Sequence, residues 1–412
     1  MTEQLLQGLS DKEAKRTLAS IVEISAVDSI PGADRIQVAT VKGWKVVIKK
    51  DEYVVGDRAV YFEIDSFLPV ADEYSFIGKA SINPITRASG EFQSGIRLRT
   101  VKLRGQVSQG LLMPFTGVAN VSDLSDEELA SKLSALPVGS DVTELLGVTK
   151  WERPEVTTNM GQSAGGFPSE YVDKTDEERI QNLPKAYSIL TGEAFYGSSK
   201  YDGTSTTIVK DGEELIFASR NLRLKEGSEI EAYLDAVGVL DKLKAYSGDL
   251  VIQGEFYGEG IQGNPLGIIG RRHAVFNIHK GDRRLGLLEM IQLAGELGLE
   301  LPEVSILGSS DESQILEIKA AIKVANSGRK PHSASKFSRA DAGPLPIKVK
   351  EIVRTDFHFT PDELLALADR QRYDSNNSVQ EGIVFRPLSG STRGNIVSFK
   401  AISNKFLMKH DA

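Results

Sequence analysis

Lys200-Tyr201-Asp202-Gly203 sets a lysine two residues before an aspartate and a glycine, and further reactive side chains follow it in order. Glu255 stands in the strand-like run 251–258, Glu381-Gly382-Ile383-Val384-Phe385-Arg386 begins a second such run, and Lys400 ends Ser398-Phe399-Lys400. A lysine amine is a nucleophile, carboxylate oxygens are hard ligands for magnesium or manganese, and a distal lysine can meet a phosphate. Together they are what covalent nucleotidyl transfer requires. Alone, a lysine beside a turn is ordinary protein surface, so it is the ordered set that carries the reading.

The chemistry places demands on the lysine. Its free pKa of about 10.4 means that a neutral amine at pH 7 costs about 4.6 kcal/mol, which neighbouring cations or a metal must reduce. Lys200 ends a strand-like run and meets a turn containing Gly203, a geometry that can present its amine to an α-phosphate. Asp202, Glu255 and Glu381 suit a magnesium or manganese ion that keeps several waters. They lie far apart in sequence, so spacing alone does not bring them together. Lys400, in an alternating run, can neutralise charge growing on a phosphate, or else guard a sheet edge against aggregation.

Elements able to position these groups are legible on both sides of the set. Residues 21–24, 35–41, 44–50, 58–64 and 96–103 read as short strands with turns such as Pro31-Gly32 and Gly56-Asp57 between them. Five short strands predict a small closed barrel of the OB type. Ser125-Asp126-Glu127-Glu128 predicts a helix start before Leu129, and 151–169 reads as a linker. Thr175 with Glu178 three residues on predicts a capped helix. Beyond Ala194 strands alternate with helices, the clearest helices being 285–297 and 361–371, and another helix followed by a polar loop is expected within 305–345. The expected division is 1–150 for the barrel with a helical extension, 151–169 for the linker and 170–412 for the catalytic domain.

Composition narrows the class. A chain of 412 residues exceeds one ordinary domain, and 40% apolar with 26% charged residues indicates globular rather than disordered protein. The lack of cysteine excludes disulfides, thiolate metal sites and cysteine nucleophiles. No leader-like apolar segment or membrane-length run is present, so a cytoplasmic location without membrane partners is expected. The net charge of −8 argues mildly against a general nucleic-acid coat. Locally the balance reverses. Arg87, Arg97, Arg99, Lys102 and Arg104 face one acid, Glu91, and a second cluster holds Arg271, Arg272, His273, Lys280, Arg283 and Arg284. Either could be a solvated face. Strand alternation would put Arg97 and Arg99 together toward solvent or a nucleic acid, so Arg97, Arg99, Lys102 and Arg104 are the candidate nucleic-acid-binding residues.

In order and spacing, these motifs resemble those of the covalent nucleotidyltransferases, and most of all ATP-dependent nick-sealing RNA ligases with an N-terminal OB domain. The resemblance spans essentially the whole chain. It implies an α+β protein with an OB-type β-barrel followed by an antiparallel-sheet-rich nucleotidyltransferase domain of the ATP-grasp-like ligase kind. It also implies a catalytic Lys200, with Asp202, Gly203, Arg220, Glu255, Phe276, Glu381, Lys400 and Arg179 binding the nucleotide. Phe276 would stack on adenine and Arg220, in Ser219-Arg220-Asn221, would contact the ribose or 5′-phosphate side. ATP with Mn2+ or Mg2+ is the implied cofactor set, nicked or paired RNA ends the partner, and a monomer the expected state. Two positions depart from relatives: Ser205 stands where DNA ligases and capping enzymes often have arginine, and Ile402 where nick-sealing enzymes can carry a second lysine, a role Lys405 could take. Only residues 401–412 follow Lys400, so the C-terminal OB domain of DNA ligases and capping enzymes is not expected. The rival readings are a DNA ligase or capping-type enzyme, and an OB-domain RNA-binding protein with an inactive transferase domain.

Overall fold

The computed structural model describes residues 16–78, 82–86, 92–151, 162–183, 194–307, 311–329, 345–353, 359–373, 377–392 and 398–410. Its contacts gather into two compact units, one built on Ala14–Glu155 and the other on Val156–Ile180 with Lys185–Phe406. No helix among the described residues is long and apolar enough to cross a membrane.

In the N-terminal unit, strands Ala19–Glu23, Ile36–Val41, Trp44–Lys49 and Arg58–Phe62 form within two residues of the expected bounds. Ala19–Glu23 and Leu111–Met113 flank Arg58–Phe62, and Ile36–Val41 lies between Ala26–Ser29 and Trp44–Lys49, all antiparallel. Ile21, Val60, Phe62, Leu68 and Tyr74 form the interior. Helix Asp126–Ala135 starts at the expected cap: Ser125 Oγ accepts from Glu128 N, and Glu128 accepts from Ser125 N at 2.9 Å. Such a cap contributes about 1 kcal/mol and sets Leu129 and Leu133 into the same interior.

The single strand expected over 96–103 is instead two. Phe92–Arg97 pairs with Ser66–Pro69, whereas Thr100–Leu103 folds back on Gln106–Gln109. The two-residue turn between them, Arg104-Gly105, has φ of 49° and 86°, the positive values that a tight hairpin of the usual twist demands.

The C-terminal unit contains two large sheets. A six-stranded sheet runs in the order Glu178–Arg179, Phe399–Ile402, Gly382–Pro387, Phe195–Lys200, Val304–Leu307, Val349–Val353. An eight-stranded sheet runs Ser163–Gly166, Leu222–Leu224, Glu214–Ala218, Thr204–Asp211, Leu250–Gly258, Arg271–Lys280, Arg283–Arg284, Ser391–Thr392. Ile252, Phe256, Val275 and Ile278 on one face of the larger sheet share an apolar core with Met290, Ile291 and Ala294 of helix Leu287–Leu297. Helices Pro361–Arg370 and Glu312–Ala325 also form where expected; the polar loop after the latter lies mostly outside the described residues.

Two local expectations fail. The predicted helix at 175–181 is an edge strand, Glu178–Arg179, running parallel to Phe399–Lys400 and followed by the 3-10 turn Ile180–Asn182. Tertiary partners decide this: Glu177 meets the buried guanidinium of Arg386 at 2.7 Å and Ile180 is fully buried, which outweighs a cap worth about 1 kcal/mol. Within 151–169, Ser163–Gly166 is an edge strand on Leu222–Leu224, while 152–161 lie outside the described residues.

Candidate active site

Lys200 is the last residue of the central strand Phe195–Lys200, in register with Gly382. Tyr201-Asp202-Gly203 then carries the chain into Thr204–Asp211 of the other sheet. The motif is therefore the joint between the two sheets. Gly203 is required there by space: a Cβ would lie 2.5 Å from the Phe256 carbonyl oxygen and 2.8 Å from Tyr257 Cβ. Gly382 is confined in the same way, because its Cβ would collide with the Ala401 carbonyl oxygen. Tyr201 is buried, its ring 4.7 Å from Tyr257 and edge-on to Tyr373 at 5.8 Å, which fixes the backbone on either side.

Lys200 Nζ donates to Glu381 Oε2 at 2.6 Å. Burial acts to lower its pKa, but the charges of Glu381, Glu255 and Asp202 prevail and hold the ammonium well above the usual lysine range. Glu255 moves the other way for an acid: burial, with Glu381 and Asp202 adding repulsion against the pull of Lys200 and Arg220, pushes it up to about 8. The three expected metal ligands thus face one ammonium, Glu381 and Asp202 as charges and Glu255 as an acid whose ionisation burial resists. Among the described residues, no three histidine, cysteine or acidic side chains are gathered into a metal-holding group.

The facing strands supply the aromatic residue. Between Leu250–Gly258 and Arg271–Lys280 the register shifts: Gln253 opposes Asn277 but Gly254 opposes Val275, leaving Phe276 as the extra residue of a bulge. A bulge redirects a side chain, and here it aims Phe276 to the face that carries Gln253 and Glu255. Arg386 lies over the Phe276 ring at 5.4 Å, donates to Ser198 Oγ at 3.0 Å and is only 1% exposed. Lys400 is in register with Val384 on one side and Arg179 on the other, and donates to Asp176 Oδ1 at 3.1 Å. The other oxygen of Asp176 is 3.6 Å from Arg220 Nη2. Lys200, Glu381, Glu255, Asp202 and Gly203 are therefore one neighbourhood, and Lys400 and Arg220 share Asp176. Arg179 is buried.

Asp176, Glu177 and Arg386 were missed as site residues by sequence reasoning. The first two lay inside a segment read as a helix cap, and Arg386 closes the run that begins at Glu381, so adjacency to a motif was the available signal. Ile402 is a buried strand residue, and Lys405 is exposed at the start of helix Asn404–His410.

The two basic clusters part company. Of the second, Arg272 is buried in an ion pair with Glu300, Arg271 pairs with Glu229 at 2.7 Å and Arg283 with Glu289 at 2.6 Å. His273 and Arg284 are buried too, so only Lys280 and Arg283 of this cluster are exposed. Burial brings His273 down to about 4, leaving it neutral. In the first cluster the exposure expected of Arg97 fails: it is 8% exposed, 3.5 Å from Asp65, with its guanidinium 3.6 Å over the ring of Trp151. The strand ends at Arg97, so alternation does not continue through the arginines. Arg99 is half-buried, Lys102 and Arg104 are exposed on the hairpin, and Arg87 and Glu91 lie outside the described residues.

Comparison with protein families matches residues 18–115 to an OB-fold domain and residues 193–402 to the RNA ligase family. Among solved structures, the chain is similar to an apo form of a Naegleria gruberi RNA ligase bearing an aspartate-to-alanine substitution, at 31% identity and a TM-score of 0.71, over 96% of this chain and 98% of that one. A lysine-to-alanine form of the Naegleria gruberi RNA ligase with ATP and Mn gives 31% identity and 0.72, over 96% and 99%. The form with PPi gives 31% and 0.71 over the same shares. No curated protein sequence matched.

Proposed function

This chain belongs to the RNA ligase family, and from that premise we propose that it uses ATP to join an RNA 3′-hydroxyl to a 5′-phosphate at nicks in duplexes, through a lysyl-adenylate on Lys200. The observation that carries this reading is the position of Lys200 at the joint of two sheets, hydrogen-bonded to Glu381 and within the field of Asp202 and Glu255. In the first step Nζ attacks the α-phosphate of ATP, a P–N bond forms, and pyrophosphate leaves with the electron pair of the broken P–O bond. Glu381 Oε2, already hydrogen-bonded to Nζ, is placed to receive the proton that Nζ must lose. The adenylate then passes to the RNA 5′-phosphate, and a 3′-hydroxyl displaces AMP.

Phe276 supplies a stacking surface for the base. Lys400, held by Asp176, meets charge growing on the phosphates, while Arg220, on the same carboxylate, lies toward the ribose. The carboxylates of Asp202, Glu255 and Glu381 have the hard oxygens that suit magnesium or manganese, although they are not gathered into one ligand group in this structure, and a divalent ion bound by any of them would offset the negative charge that keeps Lys200 protonated. Lys102 and Arg104 on the hairpin, beside Arg99, contact RNA phosphates.

Incubation with α-labelled ATP and manganese tests the reading. Wild type takes up label, Lys200→Ala loses it by at least about a thousandfold, and label passes on to nicked RNA. Normal labelling of Lys200→Ala ends the assignment; labelling from GTP indicates a capping-type enzyme, and preferential sealing of nicked DNA a DNA ligase.

A further inference from the structure

Asn277 neighbours the bulge residue Phe276 and has an uncommitted hydrogen-bond acceptor. It is 6% exposed, and its Oδ1 has no partner among the described residues, whereas Nδ2 donates to Gln253 Oε1 at 3.1 Å. A buried amide oxygen left unpaired costs on the order of 1–3 kcal/mol, so a ligand group that satisfies it gains that much.

The direction of this amide is fixed from outside. Gln253 Nε2 donates to the backbone carbonyl of Asp173 at 2.9 Å. A carbonyl can only accept, so Gln253 must turn its amine to Asp173 and its oxygen to Asn277. Asn277 must in turn give its amine to Gln253, which leaves Oδ1 as the free end. Both side chains share a face with Glu255: Gln253 and Glu255 are two apart on one strand, and Asn277 is in register with Gln253. The free oxygen is therefore on the face that carries Glu255, whose charge acts on Lys200, and belongs to the residue that follows Phe276.

We propose that Asn277 determines the choice of purine, by accepting at Oδ1 a hydrogen bond from the exocyclic amine of adenine. Guanine and hypoxanthine present a carbonyl at that position, which sets acceptor against acceptor. Phe276 stacks on either purine and does not discriminate, so the selection falls to its neighbour. Gln253 is a positioning residue: it fixes which atom of the amide is offered. The inference rests on the ATP-dependent reading of the same site.

Competitive equilibrium binding of ATP, inosine triphosphate and GTP to the full chain carrying Lys200→Ala tests it, because no covalent turnover intervenes. The parent should prefer ATP over inosine triphosphate by about tenfold or more, the scale of one hydrogen bond lost and one acceptor left unpaired. Adding Asn277→Ala should bring the ratio to within about threefold, mainly by weakening ATP. Asn277→Leu, which keeps most of the volume without the acceptor, should do the same and serves if the alanine variant does not fold. An unchanged ratio in a folded variant overturns the inference, as does a parent with no preference. A parent that binds inosine triphosphate and GTP yet fails to bind ATP overturns the ATP-dependent reading and this inference with it.

Discussion

The neighbourhood of Lys200 in the C-terminal unit and the hairpin of the N-terminal unit handle cations in opposite ways. In the first, Lys200 is matched by Glu381, Lys400 and Arg220 by Asp176, and Arg386 by Glu177. On the hairpin Lys102 and Arg104 stand exposed. Paired, partly buried charges are sensitive to protonation and to whatever displaces a partner; exposed charges respond to ionic strength. One region is accordingly suited to chemistry on a small anionic substrate, and the other to loose contact with a long polyanion.

The comparison can be broken first at Glu255. Its folded pKa of about 8 lies above the ordinary 4.5, so between these values the folded chain holds a proton that the unfolded chain has released. Stability from this group is full below the unfolded value and is lost as pH rises through the folded one. Glu255→Gln does not titrate. It should match wild type near pH 4.5 and exceed it by about 5 kcal/mol above pH 8 in denaturant unfolding. A gap that does not widen with pH removes the buried acid from the account.

The next effect is on rate. In the proposed reaction neutral Lys200 is the attacking form, and Glu381 helps to keep it charged, so labelling should climb with pH. Glu381→Gln removes one raising charge and should move the rising limb of single-turnover labelling toward lower pH, a relative gain of about tenfold at pH 6 whatever happens to the plateau. An undisplaced limb would mean that the pair does not control protonation.

Smallest in rate, but the sharpest contrast, is the hairpin. Lys102→Ala with Arg104→Ala should weaken nick sealing about fivefold and reduce the slope of log affinity against log salt by about 2, while leaving ATP labelling unchanged. Arg97→Ala, which removes the stack on Trp151, should leave that slope as it is. Equal slopes for wild type and the double variant would show that the hairpin makes no phosphate contacts.

These contrasts also mark how far the sequence could be read. The strand before Lys200 and the turn after it were legible because β-propensity and glycine act locally, and the Ser125 cap was legible for the same reason. Thr175 to Glu178 carried an equally good local signal, yet pairing with Phe399–Lys400 and the Glu177–Arg386 contact took the segment into a sheet. Arg97 failed similarly, since a two-residue break ended the alternation and Trp151, remote in sequence, was waiting beneath it. The free oxygen of Asn277 was beyond reach altogether, because it follows from a chain of three groups whose first member is a backbone carbonyl at Asp173.

The joint at Tyr201-Asp202-Gly203 has a mechanical meaning. Lys200, Glu381 and Lys400 ride on the six-stranded sheet, whereas Glu255, Phe276 and Asn277 ride on the eight-stranded one. In the proposed reaction stacking grips the nucleoside end on one plate and the reacting nitrogen belongs to the other, so any slide between plates would change the span from base to nucleophile while each half keeps its own geometry. The Tyr201, Tyr257 and Tyr373 rings packed behind the joint act as the shim that sets this span. A bulkier or smaller ring at Tyr373, which packs edge-on against Tyr201, would retune reach rather than reactivity.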